Sequence, residues 1–216
     1  MEYLALLRGI NVGRTNRITM ADLRAAFTSA RFTNVRTYIN SGNVMLTSSQ
    51  PPDVVQERSQ AVVREWGLNV PVSTFVAREL LKVLAPAPAW WTAPAAGSIS
   101  NAIFVCPPTS PDKVLAAMGA VDDEEEQSRV DGPVIFVTSK ATKFMDTRWS
   151  RTPAAISTQI TIRNVQTTLK LGELLAERVY QQNGVPQVWG TPLLYTRLII
   201  SCVPAAILCP LPADCN

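Results

Sequence analysis

Arginine, glycine and asparagine crowd the start of this chain, in the run Arg8-Gly9-Ile10-Asn11-Val12-Gly13, with Asn16 and Arg17 close behind. Glycine adopts positive φ freely, so Gly9 and Gly13 let main-chain amides approach a ligand. Arg8 and Arg17 offer planar charged forks that suit phosphate or carboxylate, and Asn11 adds a directional hydrogen bond. A second polar run, Tyr38 to Asn43, supplies a phenol, the Ser41 hydroxyl, a turn glycine at Gly42 and the amide of Asn43. A third holds Arg163, Asn164, Thr167 and Lys170 within TIRNVQTTLKL at 161–171. Asn164 suits a helix cap, and a cation such as Arg163 beside a helix N-terminus opposes the dipole unless an anion lies between them. The chemistry common to all three runs is anion binding. The plainer reading of the same residues is that Gly and Asn serve turns while the arginines face water. Neither a G-x-G-x-x-G fingerprint nor a P-loop ending in Lys-Ser/Thr is present.

Other chemistries are narrowed by composition. The chain has no histidine, which removes His-based triads, the usual imidazole base and most mixed zinc sites. Cys106, Cys202, Cys209 and Cys215 form neither a CxxC pair nor a regular disulfide framework, so a reduced, cytoplasmic protein is expected. Cys106 reads as a small buried hydrophobe. The acids from Asp122 to Glu126 lack the alternation of a calcium loop and read as a solvated charge run, so no metal site is expected. Trp90-Trp91 suits either base stacking or an aromatic plug. Asp53, Glu57, Glu65 and Glu79 read as helix-surface acids. Net charge is only +3 over 216 residues, yet residues 1–40 hold six arginines against Glu2 and Asp22. That asymmetry favours an anionic partner. No stretch reads as a membrane span, since Leu193 to Leu211 is interrupted by Arg197, Pro204 and Pro210.

The elements that would position these residues follow from periodicity. Tyr3 to Leu7 is a short apolar run, expected as a central strand buried on both faces. Thr19 caps a helix in which Met20, Leu23, Phe27 and Ala30 share one face. Val35–Ile39 and Val44–Thr47 are strands joined by Asn40-Ser41-Gly42-Asn43. Pro51-Pro52-Asp53 opens a second helix with Val55, Ser59, Val62 and Trp66 on one face, ended by Gly67. Val70–Val76 is a fourth strand. The order is β-α-β-β-α-β, the split unit in which helices cover one face of an antiparallel sheet. Strands one and two then run the same way, which puts the loop after strand one and the turn after strand two on one rim.

A looser repeat follows the Pro-rich break at 86–94. Arg78–Leu84 is a connecting helix, Asn101–Cys106 a strand and Pro111–Met118 a helix capped by Ser110. An exposed edge strand near 122–129, a strand at Val134–Val137, a helix over Ala141–Trp149 and a longer one over Asn164–Tyr180 complete it. The class expected is α+β, as units at 1–77 and 78–184 with an irregular apolar tail at 185–216.

Three segments resemble the DUF1697 family: ALLRGINVGRTN at 5–16 with MADLR at 20–24, VRTYINSGNV at 35–44, and TIRNVQTTLKL at 161–171. The resemblance spans about 1–180 and implies two ferredoxin-like units with antiparallel sheets, with no established activity or cofactor. The matching positions are Arg8, Gly9, Asn11, Gly13, Asn16, Tyr38, Ser41, Gly42, Asn43, Arg163, Asn164, Thr167 and Lys170. Arg14-Thr15 stands where the family usually has Gly-Lys, Val165 where it has Trp, and residues 185–216 do not resemble a family ending.

The functional expectation is an intracellular protein that binds a phosphate-bearing small molecule or nucleic acid at the strand-one rim, through Arg8, Gly9, Asn11, Gly13, Asn16, Arg17, Tyr38, Ser41 and Asn43, with Arg163, Asn164, Thr167 and Lys170 as a second cluster. Two alternatives stay open. One is an enzyme without histidine or metal that uses Tyr38 or a carboxylate as acid-base group. The other is an interaction module with Trp90-Trp91 and the tail as contacts. Cofactor and oligomeric state are unassigned.

Overall fold

The computed structural model describes residues 1–13, 16–120 and 124–181. The expectations for the tail, for Arg14-Thr15 and for Asp122-Asp123 lie outside them.

Strand β1 (Glu2–Leu7) is buried along its whole length. It can be, because it sits inside a sheet. Strand β3 (Asn43–Thr47) pairs with it on one side and β4 (Val72–Val76) on the other, both antiparallel, and β2 (Thr33–Tyr38) flanks β3. The sheet order is β2-β3-β1-β4. Side chains alternate across this sheet. Tyr3, Ala5 and Leu7 join one core with Leu23 and Phe27 of helix α1 (Met20–Ser29) and Val55 and Val62 of α2 (Pro52–Glu65). Thr19 caps α1 as expected, its Oγ1 accepting from the Asp22 amide at 3.1 Å. Trp66 corrects the expected stripe of α2: it is 47% exposed. It occupies the C-cap position, where the backbone leaves helical geometry and turns at Gly67 (φ +70°), so the 3.6-residue spacing no longer aims it inward.

Helices α3 (Ala77–Leu84) and α4 (Ala89–Thr92) lead to a second sheet. Its strands β5 (Ile99–Val105), β6 (Glu126–Asp131), β7 (Val134–Ser139) and β8 (Ile160–Asn164) take the order β6-β7-β5-β8, the same arrangement as the first. Helix α5 (Pro111–Met118), capped by Ser110, and the short α6 (Ala154–Ser157) lie on the chain between those strands. The expected helix over 141–149 is instead two 3-10 turns, Phe144–Asp146 and Arg148–Arg151. Side-chain contacts hold this irregular path, and Glu126 anchors them. Its carboxylate accepts from Arg148 Nη2 at 2.7 Å, Arg148 Nε at 2.9 Å, Trp149 Nε1 at 3.0 Å and Ser139 Oγ at 3.1 Å. Glu126 is therefore a buried, fully engaged carboxylate and not the solvated acid its neighbours suggested.

The last described element is α7 (Val165–Gln181), which returns between the two sheets. Leu4, Leu6 and Phe75 of the first sheet meet Ala102, Phe104 and Phe136 of the second in one core, together with Leu80, Leu84, Leu171 and Leu175 of α3 and α7. Phe75 and Phe104 touch directly, with ring centroids 5.6 Å apart. Trp91 fills this layer as a plug: it is fully buried, lies edge-on to Phe136 at 4.9 Å and donates from Nε1 to Asn101 O at 2.8 Å. At one end of the layer Arg178 of α7 pairs with the buried Glu2 of β1 at 2.5 Å. Among the described residues no helix is long and apolar enough to cross a membrane.

Candidate functional site

The opposite end of that middle layer is where the residues marked by the sequence collect. The loop after β1 and the turn after β2 share one rim, as parallel directions of β1 and β2 require. Leu7 N donates to Gly42 O at 2.8 Å, and Asn11 Nδ2 donates to Asn40 O at 3.0 Å. Gly42 must be glycine on two counts. Its φ is +80°, and a Cβ there would stand 2.7 Å from the Leu7 Cβ. Gly9 and Gly13 also take positive φ, at +67° and +60°, but a Cβ on either would meet only open space. Both glycines are exposed.

Several expected ligand residues turn out to build the rim. Asn11 is saturated: Nδ2 also donates to Ile18 O at 3.0 Å, and Oδ1 accepts from Ile18 N at 2.9 Å. Asn16 Nδ2 donates to Gly9 O at 3.2 Å, which closes the loop on itself. Asn43 is fully buried, with Nδ2 shared between Tyr38 O and Ser41 Oγ, each at 3.0 Å. Asn164 caps α7 by accepting from Thr167 N at 2.8 Å. Lys170 pairs with Glu173 at 2.8 Å, and that hydrogen bond and charge raise its pKa. Tyr38 is half-buried at the end of β2.

Arg163 joins the first and third motifs. It projects from β8 into the middle layer, nine-tenths buried. Nε donates to Asn43 Oδ1 at 2.6 Å, Nη1 to Thr161 Oγ1 at 2.8 Å and Ile162 O at 2.9 Å, and Nη2 to Leu7 O at 2.9 Å and Ser41 O at 3.0 Å. Every partner is neutral, and burial lowers its pKa to about 10. Its fork therefore clasps the end of β1 and the turn after β2, leaving no donor for a ligand.

Arg8 is placed differently. Nη1 donates to Ile160 O on β8 at 2.9 Å, reciprocating the reach of Arg163 to Leu7. No other side-chain hydrogen bond from Arg8 and no carboxylate within ion-pair distance is present among the described residues. The guanidinium is half-buried and burial lowers its pKa, although it stays charged at neutral pH. Behind it Cys106 Sγ and Ser73 Oγ are in hydrogen-bond contact. Burial pushes the Cys106 thiol up, against the opposing pull of the Ser73 hydrogen bond and the Arg8 charge. Sequence reasoning did not link Ser73 or Cys106 to Arg8. The signal was faint: Ser73 lies near the start of β4, and Cys106 immediately follows β5.

Arg17 stands farther out, exposed, with Nη2 donating to Gly13 O at 3.1 Å. The first turn of α1 already holds its own anion, Asp22, bonded to Thr19 Oγ1 at 2.7 Å, so the helix N-terminus is not the seat of positive potential. Among the described residues neither Arg8 nor Arg163 has a carboxylate within ion-pair distance. A separate open groove of about 450 Å³ lies between α1 and α2, bordered by Ala25, Ala61, Arg58, Glu65 and Trp66, and shares no residue with the rim.

Comparison with known proteins agrees with the sequence motifs. The family model described as "Protein of unknown function (DUF1697)" matches residues 1–136. Among solved structures, the chain is similar to the conserved bacterial protein SP0830 from Streptococcus pneumoniae, with 27% identity and a TM-score of 0.70, over 81% of this chain and 98% of that one. No curated protein matches the chain.

Proposed function

The chain belongs to the DUF1697 family of proteins of unknown function, and on that footing we propose that it binds a phosphate-bearing ligand, a nucleotide or nucleic acid, at the rim of the first sheet. The observation that carries this reading is Arg8. A partly buried charge is normally paired, because desolvation without a partner is costly. Among the described residues the Arg8 guanidinium has one carbonyl partner and no carboxylate within ion-pair distance, and it lies beside a loop whose glycines are exposed. A phosphate oxygen matches the Arg8 guanidinium in charge and in fork geometry. Arg17 serves as an outer cation, with Tyr38 and Lys170 across the rim. Asn11, Asn16, Ser41 and Asn43 fix the shape of the two loops, and Arg163 is the clasp beneath them. Asn164 and Thr167 set the start of α7.

Thermal shift against nucleotides, short single strands and duplexes tests the reading. A ligand at a hundred times its Kd stabilises by about 2.7 kcal/mol. Stabilisation should fall between 50 and 200 mM salt for a ligand with several phosphates, in the manner of roughly one power of salt per phosphate held. It should vanish in Arg8→Ala. A ligand-induced shift unaltered by Arg8→Ala, or no shift with any anion, overturns the proposal.

A further inference from the structure

The same rim carries apolar side chains as well as cations. Val12 is 65% exposed and Ile39 is 46% exposed. The hydrogen bond from Asn11 to Asn40 brackets them, since each is the immediate neighbour of one end. Isolated exposed hydrophobics are ordinary. Ile39 is not ordinary, because its φ is +47°. A β-branched residue there crowds its Cβ against the carbonyl oxygen. The other left-handed positions on this rim use residues that tolerate the conformation, namely Gly9, Asn11, Gly13, Asn16 and Gly42. Ile39 alone combines the disfavoured backbone with a large apolar side chain half in water.

From this juxtaposition we infer that the ligand is a nucleoside phosphate, with its base lying on Val12 and Ile39 and its phosphate on Arg8 and Arg17. The inference rests on the anion-binding reading above and narrows it. Inorganic phosphate or a sugar phosphate would satisfy the cations and leave the apolar pair in water. A nucleoside phosphate covers both, as an apolar face joined to a dianion. Both a free nucleotide and the terminal nucleotide of a single strand present this chemistry.

Calorimetric titration of the full chain separates the possibilities, using inorganic phosphate, ribose 5-phosphate, the four common nucleoside monophosphates and a 5′-phosphorylated dinucleotide. At least one monophosphate should bind about tenfold tighter than ribose 5-phosphate, the increment expected for covering one apolar contact patch. Ile39→Asn, which suits the left-handed backbone and keeps the fold, and Val12→Ser should each remove most of that increment while leaving ribose 5-phosphate binding unchanged. Arg8→Ala should weaken every ligand. Tighter binding of the dinucleotide than of the monophosphate would identify a strand as the source, and equal binding a free nucleotide. Equal affinity for ribose 5-phosphate and all monophosphates, or an increment untouched by both apolar substitutions, overturns the inference while Arg8-dependent phosphate binding keeps the broader reading. Failure of every ligand to bind the unmutated chain removes both.

Discussion

Replacing Arg163 by alanine removes the one side chain that joins β8, the end of β1 and the turn after β2. Its five hydrogen bonds are made by a charged donor, and at about 1.5 kcal/mol each they contribute roughly 7 kcal/mol. Keeping the charge buried works against them. A pKa lowered to about 10 from the ordinary 12.5 corresponds to roughly 3 kcal/mol. The difference, about 4 kcal/mol, is the expected loss of stability. It is comparable to the cost of leaving buried polar partners unanswered, because Asn43 Oδ1, Leu7 O and Ser41 O would all lose a donor. Urea unfolding should show a lower midpoint, and the melting temperature should fall by roughly 10–15 °C for a chain of this size. Asn43→Ala, alone and combined with Arg163→Ala, tests the specific contact, with a coupling of about 1 kcal/mol or more expected. A loss below about 1 kcal/mol, or simple additivity with Asn43→Ala, would refute the description of Arg163 as a clasp.

Gly42→Ala should cost about 2 kcal/mol or more, since it meets both the Leu7 Cβ and an unfavourable φ, whereas Gly13→Ala should cost about 1 kcal/mol from backbone conformation alone. Parallel thermal melts check the pair, and equal losses would contradict the packing at Gly42. Cys106 keeps its proton in the folded chain at pH values where an unfolded thiol, near 9.0, has lost it. Its contribution to stability is therefore constant below about pH 9 and falls as pH rises beyond that point. Peptide-resolved alkylation should find Cys106 slow at pH 8 and slower still in Arg8→Ala, which withdraws a charge that favours the thiolate. Rapid modification at pH 7 would be incompatible with this site.

The elements of the first sheet were legible because their signals are local. The Thr19 cap, the Pro51-Pro52 start, the continuous apolar run of β1 and the Asn-Ser-Gly turn each depend on residues a few positions apart. The rim was legible for the same reason, since strand direction alone brings Arg8 and Ser41 to one end of the sheet. Arg163 was not legible as a clasp, because its acceptors lie on Leu7, Ser41 and Asn43, more than a hundred positions upstream. Next to a helix N-terminus it read as an anion ligand; only the packing of two sheets shows that neutral carbonyls occupy its fork. Glu126 was hidden in a run of acids for a related reason, with Arg148 and Trp149 brought to it by an irregular segment. Trp66 misled through periodicity carried one residue past the end of its helix.

The middle layer also sets an order in time. The first sheet is complete in sequence at Val76, and α1 and α2 cover its outer side by then, but Leu4, Leu6 and Phe75 face a core whose remaining walls are α3, α7 and the second sheet. A ribosome making roughly 5–20 residues per second needs on the order of 5–20 seconds to reach the end of α7. Throughout that interval the apolar face of the first sheet is covered only in part, by α3 and then by strands of the second sheet, until α7 completes the core. Chaperone demand during synthesis should therefore concentrate on the N-terminal half and end abruptly when α7 clears the exit tunnel.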